Sequence, residues 1–242
     1  MSETLPHAPD DAQRLPATAP ADHADPVADA ESGAQTAPTA VAMAAAKPVR
    51  KRPPPGERRV QILQTLAAML EEPGADRITT AALAARLDVS EAALYRHFAS
   101  KAQMYEALIE FIEASVFGLV NQIAEREPAG SAQARRMLAV LLQFGEKNPG
   151  MTRVMVGDAL VFEHERLGVR MQQFFDKFEA QLRQCLRPAA EAAGSPTPTV
   201  DAQVRASVLT AYAVGRLQRY ARSGFRRNPT EQLDAALALL AA

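Results

Sequence analysis

The sequence of 242 residues contains one cysteine, Cys185, and no tryptophan, and aromatic residues make up only 5% of it. A single cysteine excludes an intramolecular disulfide and a zinc site built from several cysteines. No uninterrupted apolar run approaches the roughly 18 residues that a membrane-spanning helix needs. Because Ala and Leu are abundant while aromatic residues are scarce, helices are favoured over a β-sandwich or barrel. We therefore predict an all-α, cytoplasmic protein without a membrane partner.

Motifs typical of enzymes are also missing. The sequence has no Gly-rich phosphate loop, no nucleophile elbow and no spaced set of zinc ligands. His164 lies between Glu163 and Glu165, but three adjacent residues do not converge on one face of a helix. We expect neither enzymatic activity nor a cofactor or metal.

The net charge of −1 conceals an uneven distribution along the chain. Residues 1–46 contain seven acidic residues and one base, whereas residues 47–59 contain six bases and one acid. Ten of the seventeen prolines lie in the first 55 residues, so this segment cannot bury enough apolar surface to fold. We predict a disordered extension over residues 1–55, whose basic end PVRKRPPPGERR is either a solvated linker or an arm that contacts phosphates.

Helical spacing of apolar residues begins at Glu57. The residues predicted on the buried face of a first helix are Val60, Leu63, Leu66, Ala67 and Leu70. Thr79 or Thr80 can cap a second, short helix, and Ser90 a third one after a tight turn at Asp88-Val89. Ser100 and Gln103 form a capping box that opens a long helix over about 101–126. Two short helices joined by a tight turn predict a helix-turn-helix domain over residues 56–101.

Residues 102–242 are predicted to form a second, wholly helical domain. Beyond the long helix, the spacing predicts helices over 132–147, 151–167 and 170–186, with stops at Asn148-Pro149-Gly150 and at Pro188. A loop over 194–199 then separates two further helices, over about 200–222 and 230–241.

The segment 78–101, ITTAALAARLDVSEAALYRHFASK, resembles the N-terminal domain of TetR-type transcriptional regulators, and the likeness covers about 57–105. Asp88 stands where that family usually has glycine, although Asp tolerates a positive φ better than most residues. Ala99 replaces a frequent proline. In the second half, EFIEASVFGLVNQI and LLQFGEKNPGMTRVMVGDALVFEHERL resemble the nucleoid occlusion factors of this family. That resemblance implies a nucleoid-associated, DNA-bound dimer that engages the flexible C-terminal tail of the tubulin-like division protein FtsZ beside the long helix.

The helix-turn-helix pattern assigns roles to individual side chains on double-stranded DNA. A short recognition helix brings its N-terminal residues close to base edges, and the residues expected there are Ser90, Glu91 and Ala92. Donors placed to reach phosphates are expected at Thr79, Thr80, Tyr95, His97 and Lys101. Three alternatives stay open: Tyr95 covers the domain surface, His97 caps the helix, or Lys101 is a solvated charge. Leu83, Leu87, Leu94 and Phe98 are assigned to the core.

The expected contacts with the FtsZ tail are Phe111, Leu141, Lys147 and Asn148. If the long helix buries Ile109, Ile112 and Val116, Phe111 is left at the rim of a groove. Lys147 and Asn148 then add a positive charge and hydrogen-bonding groups suited to an acidic, apolar peptide. The alternative is that Phe111 is ordinary core and Asn148 only ends a helix.

Two apolar stripes near the C-terminus predict a homodimer. The first consists of Val204, Val208, Ala211, Tyr212 and Gly215, where small residues permit close approach of helix axes. The second consists of Leu233, Ala236, Leu237 and Leu240. Two-fold symmetry then requires a roughly palindromic DNA site and allows higher-order assembly on DNA.

Two other functions compete with the one that the resemblance implies. A ligand-responsive repressor would hold an apolar small molecule in its C-terminal domain. A basic-tailed adaptor would act mainly by binding proteins, with DNA incidental.

Overall fold

The computed structural model describes residues 56–72 and 77–240, and every regular element in these ranges is helical. The helices are α1 (Glu57–Glu71), α2 (Thr80–Arg86), α3 (Glu91–Tyr95), α4 (Lys101–Arg126), α5 (Ser131–Lys147), α6 (Pro149–Met155), α7 (Glu165–Ala192), α8 (Pro198–Arg222) and α9 (Leu233–Leu240), with a 3₁₀ turn at Asp158–Leu160. The all-α prediction is confirmed. The predicted extension over 1–55, including its basic arm, lies outside the described residues.

The predicted caps of the first domain are present. The Thr79 hydroxyl accepts a hydrogen bond from the Ala82 amide at 3.1 Å, and the Ser90 hydroxyl accepts one from the Ala93 amide at 3.3 Å. Ser100 accepts from the amide of Gln103 at 3.2 Å. The Gln103 side chain accepts in return from the amide of Ala99 at 2.8 Å. These caps satisfy amides that have no partner within their own helices, and they fix where α2, α3 and α4 begin.

The buried face of α1 agrees with the prediction in part, because Leu66 and Leu70 are buried and Leu63 and Ala67 pack against the core. Ile62, Leu66 and Leu70 are its buried residues, whereas Val60 is 53% exposed. The fully buried residues follow a strict four-residue spacing, so the stripe begins at Ile62 and not at Val60. This difference arises because α1 packs on α4 and α6 as well as on α2.

Helix α4 is the long central helix of the chain. By length and composition it could cross a membrane, although charged residues interrupt its apolar sequence. Nine of its residues are buried, among them Met104, Ile112 and Val120. Because α1, α5, α6 and α7 pack around it, its apolar character is that of a core helix.

The region after α5 corrects two predicted helix boundaries. Asn148-Pro149-Gly150 separates α5 from α6 directly, with Pro149 as the first residue of α6. The predicted helix over 151–167 is broken at Gly157, whose φ of 84° lies in the left-handed region. Residues between the 3₁₀ turn and α7 form a loop that exposes Val161 and Phe162.

Helix α7 continues past the predicted stop at Pro188 and ends at Ala192. A proline inside a helix removes one backbone hydrogen bond. The last turn is nevertheless kept, with Ala190 buried beneath it. Helices α7 and α8 pack along each other and carry much of the core, including Phe174, Phe178 and Leu209.

Helix α9 starts later than predicted, at Leu233. The Arg216 guanidinium donates to the carbonyl oxygens of Asn228, Pro229 and Glu231, at 3.1, 2.9 and 2.5 Å, and holds the preceding segment in an irregular path. The second predicted dimer stripe is corrected as well. Leu233 and Leu237 are buried against their own chain, and Ala236 and Leu240 are half-buried, so the main part of this stripe already has intramolecular partners.

Candidate functional site

The helix-turn-helix presents most of its predicted DNA contacts on the surface. Leu83, Leu87, Leu94 and Phe98 are buried, which confirms their assignment to the core. The predicted contact residues that are exposed are Thr79, Ser90, Glu91, Ala92, Tyr95 and His97. Thr80 is half-buried, and its hydroxyl donates to the Glu91 carboxylate at 2.5 Å. Asp88 lies in the turn between α2 and α3 with a φ of 54°. This agrees with the prediction that Asp88 tolerates a positive φ there.

Two of the predicted phosphate or base contacts also cap helices. The hydroxyl oxygens of Thr79 and Ser90 accept amide hydrogen bonds from their own helices. A hydroxyl can accept through its oxygen while donating its proton elsewhere. Both side chains are therefore fixed in direction and still hold one proton for a ligand.

Tyr95 is 46% exposed on α3, so its ring is not part of the core. Beside it, the backbone carbonyl of His97 accepts a hydrogen bond from Arg59 at 2.9 Å. The Arg59 guanidinium also lies over the Phe98 ring, 4.1 Å from its centroid. Sequence reasoning had counted Arg59 only as part of the basic block, because a contact across 38 residues leaves no local signal.

Lys101 is held in an ion pair, which contradicts the alternative that it is a solvated charge and leaves its phosphate contact a prediction. Its ammonium donates to the Glu163 carboxylate, which belongs to the loop before α7, and it lies 5.7 Å from the centroid of the Tyr105 ring. The Lys101 side chain is 23% exposed and that of Glu163 only 8%. Burial, and then the nearby Glu163 charge, raise the pKa of Tyr105 well above its ordinary value. Lys101 thus links the end of the helix-turn-helix to the loop before α7.

Helices α4 and α5 bring two phenylalanines together at the surface. Phe111 is 50% exposed and its ring centroid is 6.4 Å from that of Phe144. Lys147 is exposed at the end of α5. Asn148 is half-buried and donates to the Phe144 carbonyl at 2.8 Å, which satisfies the last turn of α5. Leu141 is fully buried and has no surface for a ligand, which corrects its prediction as a contact.

Further along α4 and α5, Leu119 and Val140 line an open cavity of about 200 Å³ together with Arg126 and Arg136. Leu119 is 46% exposed. Sequence reasoning missed both apolar residues. The signal was present in the spacing, since Phe111 and Leu119 are eight residues apart and therefore share one face of α4. We call the surface formed by Phe111, Leu119, Val140, Phe144 and Lys147 the α4–α5 groove.

Helix α8 exposes the first predicted dimer stripe. Val204 is 57% and Val208 44% exposed, and Ala211 is also exposed, whereas Tyr212 and Gly215 are half-buried. Val200, at 59%, extends the stripe toward the start of α8. The hydroxyls of Thr210 and Tyr212 are buried and have no hydrogen-bond partner in the part of the chain that the structure describes.

A helix-turn-helix unit followed by a helical domain is the architecture of TetR-type regulators. Two family models match the chain: the tetR family of bacterial regulatory proteins over residues 62–108, and an SlmA-like model, the tetracyclin repressor-like C-terminal domain, over residues 131–242. The nucleoid occlusion factors SlmA of Escherichia fergusonii and Photobacterium profundum are each 50% identical over 186 residues, which are 76% of this chain and 93% and 94% of the two relatives. SlmA of Vibrio atlanticus is 49% identical over the same length. The chain belongs to the SlmA family of nucleoid occlusion factors.

Solved structures confirm the fold. The MbdR regulator from Azoarcus sp. CIB superposes with a TM-score of 0.62 at 17% identity, covering 76% of this chain and 97% of that one. FadR from Bacillus subtilis, solved with stearoyl-CoA, gives a TM-score of 0.60 at 12% identity with the same coverage. The matched family is one of regulatory proteins, not of enzymes.

Proposed function

We propose that the chain binds palindromic chromosomal sites as a homodimer and inhibits the assembly of FtsZ over the nucleoid. It would act in the cytoplasm, associated with DNA. The observation that carries the proposal is that exposed polar side chains of the helix-turn-helix and an exposed aromatic pair on α4 and α5 lie on separate surfaces. The helix-turn-helix presents exposed donors up to the start of α4, and Phe111 lies ten residues further along that helix, about 15 Å away by its rise.

On the DNA side, Ser90, Glu91 and Ala92 are proposed to face base edges. Thr79, Tyr95 and His97 are proposed to contact the phosphates. Thr80 is proposed to do so through its backbone N–H, because its hydroxyl proton is donated to Glu91. Lys101 joins them only if its ammonium leaves Glu163, because one ammonium that is half-buried against a carboxylate has little surface left for a phosphate.

Tyr95→Ala should weaken DNA binding by about 1–3 kcal/mol without changing the melting temperature. Leu94→Ala, which removes a buried side chain, should instead unfold the domain.

The dimer is proposed to form through the exposed stripe on α8. Pairing two copies of this face gives an isologous interface, and the two recognition helices then meet two half-sites related by the same axis.

On the protein side, the α4–α5 groove is proposed to hold the C-terminal tail of FtsZ. Phe111 and Phe144 form an aromatic pair that can receive an apolar side chain, and Lys147 places a positive charge at the end of the groove. A short acidic, apolar peptide matches both features. Asn148 is proposed to act mainly by ending α5, since its amide is bonded to the Phe144 carbonyl.

A fluorescent FtsZ-tail peptide tests this assignment by polarisation, with and without DNA. We expect Phe111→Ala to weaken peptide binding about tenfold or more, as for an apolar anchor, while DNA binding is kept. The matched control is Phe162→Ala, which removes a phenylalanine that is 65% exposed outside the groove and should change nothing. Equal peptide binding by both variants would reject the groove.

One observation favours the ligand-responsive repressor as a second candidate. A cavity of about 550 Å³ lies between α7 and α8, and the Thr210 hydroxyl without a partner lies at its wall. A rise in melting temperature with hydrophobic effectors, but not with the FtsZ-tail peptide, would favour this second candidate over the first.

A further inference from the structure

The hydrogen bond between Thr80 and Glu91 joins the first residues of the two helices of the helix-turn-helix. Thr80 begins α2 and Glu91 begins α3, and the Thr80 hydroxyl donates to one carboxylate oxygen of Glu91 at 2.5 Å. The Glu91 side chain is exposed at the end of the recognition helix where base contacts are expected. An exposed glutamate normally samples several rotamers, whereas this one is held in a single direction.

We propose that Glu91 reads a cytosine in each half-site and that Thr80 positions its carboxylate for this contact. The inference rests on the proposed DNA binding and adds to it the identity of one base. It follows from the donors that DNA offers and from the charge that Glu91 carries.

An ionised carboxylate can only accept hydrogen bonds, so it needs a donor on the base edge. In the major groove, guanine offers only acceptors, and thymine offers an acceptor and a methyl group. Adenine offers a donor beside an acceptor, whose partial negative charge repels the second oxygen of the carboxylate. Cytosine offers an amino group without an adjacent acceptor on its own edge, and it is the base with which glutamate pairs.

Glu91 therefore provides specificity largely through exclusion. Surrounded by phosphates, its negative charge opposes binding to any DNA in which no amino group meets it. The hydrogen bond from Thr80 uses one lone pair of one carboxylate oxygen. The remaining lone pairs of the Glu91 carboxylate stay available to accept a hydrogen bond from the base. Because the side chain is already ordered, less entropy is lost when the base contact forms.

A purely structural role is the competing explanation. A glutamate in the first turn of a helix stabilises the helix dipole, and its bond to Thr80 links α2 and α3. That role would change the melting temperature and leave the preferred base untouched. The preferred base at each position of the site is therefore the readout that separates the two roles.

The experiment selects binding sites from randomised duplex DNA with the full chain and with the Glu91→Gln, Thr80→Val and Thr80→Ser variants. We expect the unsubstituted chain to require cytosine at one position of each half-site. Replacing that cytosine with thymine should lower its affinity about tenfold. Glu91→Gln should lose the requirement and favour adenine there, because glutamine pairs with adenine.

Thr80→Val keeps the shape of the side chain but removes the hydroxyl, and it should weaken the cytosine preference. Thr80→Ser keeps the hydroxyl and should retain it. If Glu91→Gln selects the same sequence as the unsubstituted chain, the reading of cytosine is overturned while DNA binding stands. If Thr80→Val keeps the full preference, the positioning role of Thr80 is overturned. If the unsubstituted chain selects no sequence at all, the proposed function fails together with this inference.

Discussion

At the scale of single residues, Gly150 sets how closely α6 approaches α1. A Cβ placed on Gly150 would lie 2.2 Å from the Ala67 carbonyl oxygen, and this atom belongs to the backbone and cannot rotate away. We predict that Gly150→Ala lowers the free energy of unfolding by about 1–3 kcal/mol, because the two helices must move apart. Gly118→Ala is the matched control, since nothing lies within 4 Å of its added Cβ. It should stabilise α4 by up to about 1 kcal/mol.

The free energy of unfolding of the two glycine variants, measured by urea titration, tests this prediction. Equal changes in both would show that helix propensity, and not the contact with Ala67, governs position 150.

Cys185 gives a second prediction at this scale, in the pH dependence of stability. Burial raises the pKa of its thiol from 9.0 to about 11. The folded chain therefore holds the thiol proton more tightly than the unfolded chain. The resulting stability is complete below pH 9 and is lost as the pH rises toward about 11. The unfolding free energy of Cys185→Ala should decline less steeply over this range than that of the unsubstituted chain, as measured by urea titrations. Parallel declines would contradict burial of the thiol.

At the scale of elements, the sequence predicted those features that depend on neighbours along the chain. The caps at Thr79, Ser90 and Ser100 and the turn at Asp88 each involve residues within four positions of one another, so their signals are local. The exposure of Phe111 was also predictable, because it lies outside the buried stripe of α4.

Features that depend on distant contacts were missed. The ion pair between Lys101 and Glu163 joins residues 62 positions apart. The sequence placed Leu141 at the surface and did not single out Val140 as a contact. These adjacent residues of α5 differ in burial because of the angle at which α5 packs on its neighbours, which a local pattern does not reveal. The break at Gly157 was missed because its neighbours continue an apolar, helix-like pattern and only the backbone conformation interrupts it.

The stripe on α8 carries the prediction for the dimer. Val204→Glu places a charge in the centre of the proposed interface and should convert the dimer to a monomer at micromolar concentration. Val60→Glu is the control, because Val60 has a similar exposure of 53% but lies on α1. The mass from light scattering is the measurement. A dimer that persists in Val204→Glu would place the interface elsewhere.

At the scale of the whole molecule, the basic segment before α1 should add affinity for DNA without choosing a sequence. Lys47, Arg50, Lys51 and Arg52 lie outside the described residues, so this prediction rests on charge alone. Deleting residues 1–55 should reduce the slope of log affinity against log salt by roughly three to four units if all four bases contact phosphates. The preferred site should not change. A changed site after deletion would mean that the segment reads bases.

The central claim is that one molecule joins specific DNA to the inhibition of FtsZ assembly. The most direct measurement is sedimentation of FtsZ polymers with the chain and either its selected DNA site or a scrambled duplex. We predict that the selected site greatly increases inhibition, that Phe111→Ala abolishes it, and that Phe162→Ala leaves it intact. Polymers that form equally well with the unsubstituted chain, the selected site and FtsZ together would contradict the account.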